Sequence, residues 1–199
     1  MEGRPCLVVG GGPVAARKAR GLLDCGAAVT VIAPEVCDAM AQLQPLTLER
    51  RRYVAGDAGR YRLVVTATGI AAIDGAVCAD ADAVGVWVNC ADDGLRSSFI
   101  LPAVHREGQV SVAVSTGGRS PALASWLRTR LAGQCGPGLA ELADLLAGAR
   151  RRLHEAGRSS EDVDWAVLLD GPLPALVEAG RLTEASAIVE AAVGVDIAP

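Results

Sequence analysis

The sequence predicts an α/β fold: a parallel sheet with helices on both faces, followed by an all-helical tail. Three observations predict it. Short apolar runs alternate with helical spacing from the start to about residue 108. Three glycines, Gly10-Gly11-Gly12, stand between the first apolar run and the first helical pattern. From residue 139 onward the apolar residues keep helical spacing only.

Each element follows in order. Cys6–Val9 is a short apolar strand, and Val14, Ala15, Ala16, Ala19, Leu22 and Leu23 give a helix that Gly26 ends. Strand, glycine turn and helix open a Rossmann-type dinucleotide-binding unit. Gly10 permits the tight turn, and Gly12, lacking Cβ, lets a pyrophosphate approach the backbone. Pro13 fits the first helical turn, and N–H groups there face the phosphates. Ala15 lets helix and strand pack closely. Residues 28–33 read as the second strand, 46–51 as a short third strand and 62–66 as a strand buried on both faces. A helix over 70–83 and a strand over 84–89 complete the sheet. After Gly108 come a strand over 110–115, a second glycine turn (Gly117-Gly118) and a helix over 121–131 opened by Pro121. Four helices are predicted beyond: 139–153, 161–168, 174–179 and 182–192. The domains expected are therefore 1–108, 109–133 and 134–199.

The totals bound the function. A chain of 199 residues holds one or two compact units. At 51% apolar it is no disordered segment, and at 3% aromatic its core must be Val, Leu and Ala. A net charge of −4 argues against a nucleic-acid partner. The six cysteines form no C-x-x-C and no zinc-like spacing with histidine. Most sit in apolar runs, so they are read as buried, reduced thiols in a reducing cytoplasm. No apolar run is long enough to span a membrane and no leader segment is evident, so a soluble cytoplasmic protein is expected.

Four stretches go further: residues 8–34, LVVTAT (63–68), VNCADD with SSFILPA (88–93 and 97–103), and VSVAVSTGGRSPALASWLR (110–128). On these the chain resembles the precorrin-2 dehydrogenase/sirohydrochlorin ferrochelatase family, the N-terminal module of siroheme synthases. The resemblance runs to about residue 131, and STGGRSPALA is its most specific part. It implies oxidation of precorrin-2 to sirohydrochlorin, with hydride passing to NAD⁺. In some members Fe²⁺ is then inserted into the product. It also implies a homodimer in which residues around 110–131 exchange contacts. Two departures stand out. The segment family members carry before the first strand is nearly absent, and Gly69-Ile70 replace an acidic pair.

Candidate residues follow from both lines. Gly10, Gly12, Pro13 and Val14 are expected at the pyrophosphate, and Ala33, Pro34 and Glu35 at the tip of the second strand, where the cofactor is chosen. No arginine stands at that tip to hold a 2′-phosphate, so NAD is expected over NADP. Thr66, Ala67 and Thr68 are expected on the adenosine side, and Asn89 at the nicotinamide ribose or orienting its loop. Asp92 follows a strand at its carboxyl end and matches the family's aspartate, so it is the candidate catalytic base. Asp93, next to it, is the competitor. The tetrapyrrole is a polycarboxylate, so Arg119, Arg128 and Arg96 are expected to meet it, with His105 and Arg106 behind them. Ser115, Thr116 and Gly117 form a loop whose N–H groups suit a substrate carboxylate. No resident metal is expected. The alternative is a module that binds NAD and signals without chemistry. The second glycine loop argues against it, since a sensor has no need of one.

Overall fold

A computed structural model describes residues 1–194 of the chain. It contains two compact units, Met1–Leu101 and a second that begins at Pro102. The first is a five-stranded parallel sheet of β1 (Pro5–Val9), β2 (Ala28–Ile32), β3 (Thr47–Glu49), β4 (Leu63–Thr66) and β5 (Trp87–Cys90). Its order is β3-β2-β1-β4-β5, so the winding reverses between β1 and β4. Ligands bind at that point in sheets of this kind.

Period-two alternation sorts the apolar residues onto two faces. Cys6, Val8, Val29, Val31 and Val65 face one layer, where helix α1 (Pro13–Leu23) buries Ala15, Ala16, Ala19 and Leu22. Small alanines let this helix lie close to the sheet. Leu7, Val9, Ile32, Val64 and Val88 face the other layer, where helix α3 (Ala71–Ala83) buries Val77, Cys78 and Ala81. Between the two helices in sequence lies α2 (Asp38–Ala41), a single turn too short for a periodic signal.

The register aligns the strand ends. Val9 pairs with Ile32 and Thr66, Ile32 with Glu49, and Thr66 with Cys90. One row of residues therefore crosses the sheet, and every residue just beyond it lies at the same edge.

The outer strand β5 is finished by side chains. Ser98 Oγ accepts from Val88 N at 2.7 Å and Ser97 Oγ from Cys90 N at 2.9 Å. The amides that a further strand would have paired are thereby satisfied.

The second unit begins with an antiparallel hairpin, β6 (Ala103–Glu107) and β7 (Val110–Val114). Strand β6 was not expected. The second unit takes residues 102–108 out of the nucleotide-binding domain expected over 1–108, because 103–107 pair with β7 rather than with the parallel sheet. Helix α4 (Pro121–Gln134) runs through Gly133. Helix α5 (Leu139–Glu155) starts where Glu107 Oε1 accepts from Gly138 N and Leu139 N, both at 2.9 Å. The helix expected over 161–168 is instead a 3₁₀ turn, Ser160–Asp162, and a short α6 (Trp165–Leu169). Asp164 makes the break by accepting from Val167 N and capping the second piece. Helices α7 (Leu173–Glu178) and α8 (Leu182–Val193) close a core with α5 around Leu153, Leu173 and Val189. The last residues of the helical domain expected over 134–199, 195–199, lie outside the described residues.

One expectation about cysteine is overturned. Cys78 and Cys90 form a disulfide, with Cα atoms 6.8 Å apart. Helix α3 packs back on β5, the next element in the chain, and brings together two residues 12 apart in sequence, a meeting that spacing alone does not reveal. Cys6, Cys25, Cys37 and Cys135 remain thiols. Burial raises the pKa of Cys6, as expected for a thiol acting as a small hydrophobe. No helix of the described residues is long and apolar enough to cross a membrane.

Candidate active site

The sheet's carboxyl edge gathers the residues expected at a cofactor. Gly10 leaves β1 with φ 124°, and its N–H donates to Ile32 O at 3.0 Å. A Cβ there would meet Ala67 O at 2.4 Å, so the β1 and β4 turns touch through bare backbone. Gly12 caps α1 in an extended conformation with no side-chain hydrogen bond to the helix start. Nothing stands within 4 Å of where its Cβ would be. The position is an open cradle in front of a helix whose first amides have no side-chain cap, which fits a dinucleotide pyrophosphate. Pro13 and Val14 flank it, both exposed.

Gly11 was missed by the sequence reading. A Cβ on it would lie 1.8 Å from Glu35 O, and Cys37 N donates to Gly11 O at 2.8 Å. This glycine is therefore a contact between the β1 turn and the segment after β2. That segment carries Ala33, which is buried, and Pro34 and Glu35, which are exposed. The sequence signal was available in the middle glycine, which G-x-G-x-x-A leaves unassigned.

At the β4 tip, Thr66 is fully buried and Ala67 nearly so. Asp74, in the first turn of α3, accepts from Thr66 Oγ1 and, at 3.1 Å, from Thr68 N. Asp74 thus supplies a carboxylate to a turn where Gly69-Ile70 carry none. Thr68 Oγ1 accepts in turn from Ile70 N at 3.1 Å.

At the β5 tip, buried Asn89 donates from Nδ2 to Phe99 O at 3.0 Å, and Lys18 Nζ donates to its Oδ1 at 3.4 Å. Asn89 therefore ties the strand to the returning chain and to α1. Lys18 was also missed. It is half-buried on α1, and desolvation, with Arg17 adding to it, lowers its pKa. Beyond Cys90, Ser97 Oγ donates to Cys90 O at 3.3 Å and Asp93 O at 3.1 Å, and so closes the loop that carries Asp92.

The two adjacent aspartates separate here. Asp93 accepts from Leu95 N at 3.0 Å and Arg96 N at 3.4 Å, and pairs with Arg96 Nε at 3.2 Å. Its carboxylate is used in capping a 3₁₀ turn, Gly94–Arg96. Asp92 is exposed and makes no hydrogen bond or ion pair among the described residues, so its carboxylate is available.

The remaining candidates lie in the second unit. Ser115 Oγ accepts from Gly117 N at 3.2 Å. Thr116 Oγ1 donates to Ser120 O and accepts from Ser120 N, both at 3.1 Å. The Thr116 hydroxyl is thus engaged in closing the turn before α4. Arg119 is exposed on that turn and Arg128 half-buried on α4. His105 lies on β6 beside Arg106, and His154 is exposed in the last turn of α5.

Comparison with known proteins agrees with this fold. A family model described as putative NAD(P)-binding matches residues 1–103, and one described as the central part of sirohaem biosynthesis proteins matches residues 107–134. The siroheme synthase of Methylococcus capsulatus is 40% identical over 191 residues, 93% of this chain and 40% of that protein. That of Chromobacterium violaceum is 39% identical over 193 residues, again 93% and 40%. The chain thus spans about two-fifths of the length of these relatives. A solved structure described as SirC, precorrin-2 dehydrogenase, superposes with TM-score 0.72 at 26% identity, covering 96% of both chains.

Proposed function

The chain belongs to the putative NAD(P)-binding family, with a sirohaem-biosynthesis central segment behind that domain, and on this premise we propose that it is an NAD⁺-dependent dehydrogenase converting precorrin-2 to sirohydrochlorin. The observation that carries the proposal is the pairing, at one sheet edge, of the open Gly12 cradle with the unpartnered carboxylate of Asp92.

Gly10, Gly12, Pro13 and Val14 hold the pyrophosphate in this reading. Ala33, Pro34 and Glu35 border the adenosine ribose; the tip offers no cation to a 2′-phosphate, which favours NAD over NADP. Thr66, Ala67 and Thr68, fixed by Asp74, form the adjacent wall. When bound, NAD⁺ supplies the hydride acceptor. Asp92 takes the proton that macrocycle oxidation releases, and Asn89 and Ser97 hold its loop in place. Arg119 and Arg128 receive substrate carboxylates by two-pronged pairing, while Ser115, Thr116 and Gly117, whose hydroxyls and Gly117 N–H are used within their own turn, fix the loop that carries Arg119. Insertion of Fe²⁺ as a second substrate draws on the same carboxylate, since pyrrole nitrogens must then lose protons. A cytoplasmic setting, where NAD is available, goes with this reading.

The working form is proposed to be a homodimer built on α4. That helix buries only Ala124 while Leu123 and Trp126 are exposed at 46% and 56%, an apolar surface suited to a second copy. The test of the function is anaerobic incubation with precorrin-2 and NAD⁺, followed by NADH absorbance. Appearance of NADH is expected; a flat trace with folded protein removes the proposal. Sirohydrochlorin with Fe²⁺ tests the metal step separately.

A further inference from the structure

The first unit holds a feature that dinucleotide binding leaves unused: the Cys78–Cys90 disulfide and the cavity beside it. The cavity has a volume of about 350 Å³, and Cys78 lines it together with Gly75 and Asp82 of α3 and Arg96 and Ser97 of the loop opposite. Cys90 does not line it; its sulfur lies 3.8 Å from Asp74 O on the inner side of α3. Both cysteines are only 4% exposed, so the thiol of a macromolecule cannot reach them, whereas a solute entering the cavity meets Cys78.

The rim carries two opposite charges. Arg96 spans the gap: its Nε pairs with Asp93, and a Cβ on Gly75 would lie 2.2 Å from its Nη1. A side chain at residue 75 would displace this guanidinium. Asp82 contributes the negative charge on the α3 side. A cavity of this size with one cation and one anion suits a molecule bearing both an ammonium and a carboxylate.

We propose that this cavity is a thiol–disulfide exchange site for a small zwitterionic thiol of the amino-acid or short-peptide class, with Cys78 as the sulfur attacked. The incoming thiolate bonds to Cys78 Sγ as the Cys78–Cys90 bond breaks, and Cys90 leaves as thiolate and takes a proton. A second thiol attacks the mixed disulfide, releasing the small disulfide and leaving both cysteines reduced. The electrons come from the two small thiols, and the reverse sequence uses the small disulfide as oxidant. Cys90 ends β5, two residues before Asp92. Exchange therefore controls whether the root of the Asp92 loop is stapled to α3. Only this consequence for catalysis rests on the dehydrogenase reading.

The experiment exposes the native chain to reduced glutathione and, in parallel, to uncharged 2-mercaptoethanol. Quenching by alkylation and peptide mass spectrometry then locate the mixed disulfide. The adduct is expected on Cys78, with glutathione favoured over 2-mercaptoethanol relative to their rates on an exposed reference disulfide. Arg96→Ala and Asp82→Asn should each lower that preference about two- to fivefold, as for exposed ion pairs. Cys90→Ser treated with oxidised glutathione should trap the same Cys78 adduct, and partial reduction of the unaltered chain gives the assignment independently of that variant's folding. An adduct on Cys90, a preference unmoved by both charge variants, or reduction only at the rate of global unfolding would overturn the proposal. The mass readout does not depend on turnover, so failure here and failure of the dehydrogenase reading are told apart.

Discussion

At the scale of single residues, the glycine turn divides its work in a way that composition hides. Gly11 is crowded by Glu35 O and Gly12 faces open space. Gly11→Ala must push the backbone after β2 aside and should cost about 1–3 kcal/mol in a thermal or denaturant melt. Gly12→Ala should leave the melt within about 0.5 kcal/mol of the parent. It should nevertheless weaken NADH binding severalfold in a fluorescence titration, because the new methyl occupies the cradle. Equal effects of the two on stability would refute this division. The aspartates divide likewise. Asp92→Asn should retain NADH binding and lose turnover by about 10²–10⁴-fold. Asp93→Asn should affect stability first, since it weakens the acceptor that holds Leu95 N and Arg96 N.

At the scale of elements, β5 is the strand on which the site depends, and it is held from both sides. Toward the interior it pairs with β4, and α3 covers it through Val77 and Cys78. Toward the outside, two serine hydroxyls stand where a sixth strand would lie. Ser97→Ala removes the acceptor of Cys90 N and the donor to Asp93 O together. A loss of about 1–2 kcal/mol is expected, with faster hydrogen exchange at the Cys90 amide. Turnover should fall while the NADH affinity of the β1 turn holds. Unchanged exchange at Cys90 would show that the hydroxyl does not secure the strand. Helix α3 plays the corresponding part for the β4 tip, where one carboxylate, Asp74, holds both threonines.

At the scale of the whole molecule, stability under acid has an identifiable source in the connection from β3 to β4. Arg51 Nη1 and Nη2 donate to the Asp57 carboxylate at 2.6 and 2.9 Å, and Arg60 adds a third contact at 2.6 Å. The hydrogen bonds from Arg51, outweighing desolvation, hold the Asp57 carboxyl below its ordinary range. A carboxyl with a lowered folded pKa stabilises fully above its unfolded value, near ~4, and the contribution fades as pH falls through the folded value. Asp57→Asn should therefore be less stable than the parent at neutral pH, and the gap should narrow below about pH 4. A gap independent of pH would assign the loss to packing instead. Nearby, desolvation and the hydrogen bond with Asp80 both raise the pKa of the Tyr53 phenol, so this connection is locked by two polar pairs.

The sequence by itself determined the parallel order of strands and helices, the cofactor turn and the place of Asp92 at a strand end. Periodicity, glycine placement and chain order are local properties, and they need no partner to be read. The tertiary structure decided what depends on distant residues meeting. It gave Gly11 its role against Glu35, Asp74 its hold on Thr66 and Thr68, and Lys18 its place beside Asn89. It separated a working Asp93 from an unengaged Asp92, moved residues 102–108 into a hairpin, and joined Cys78 to Cys90. Each of these is a contact between elements whose spacing is set by how helices settle on a twisted sheet, and neither propensity nor pattern along the chain encodes that distance.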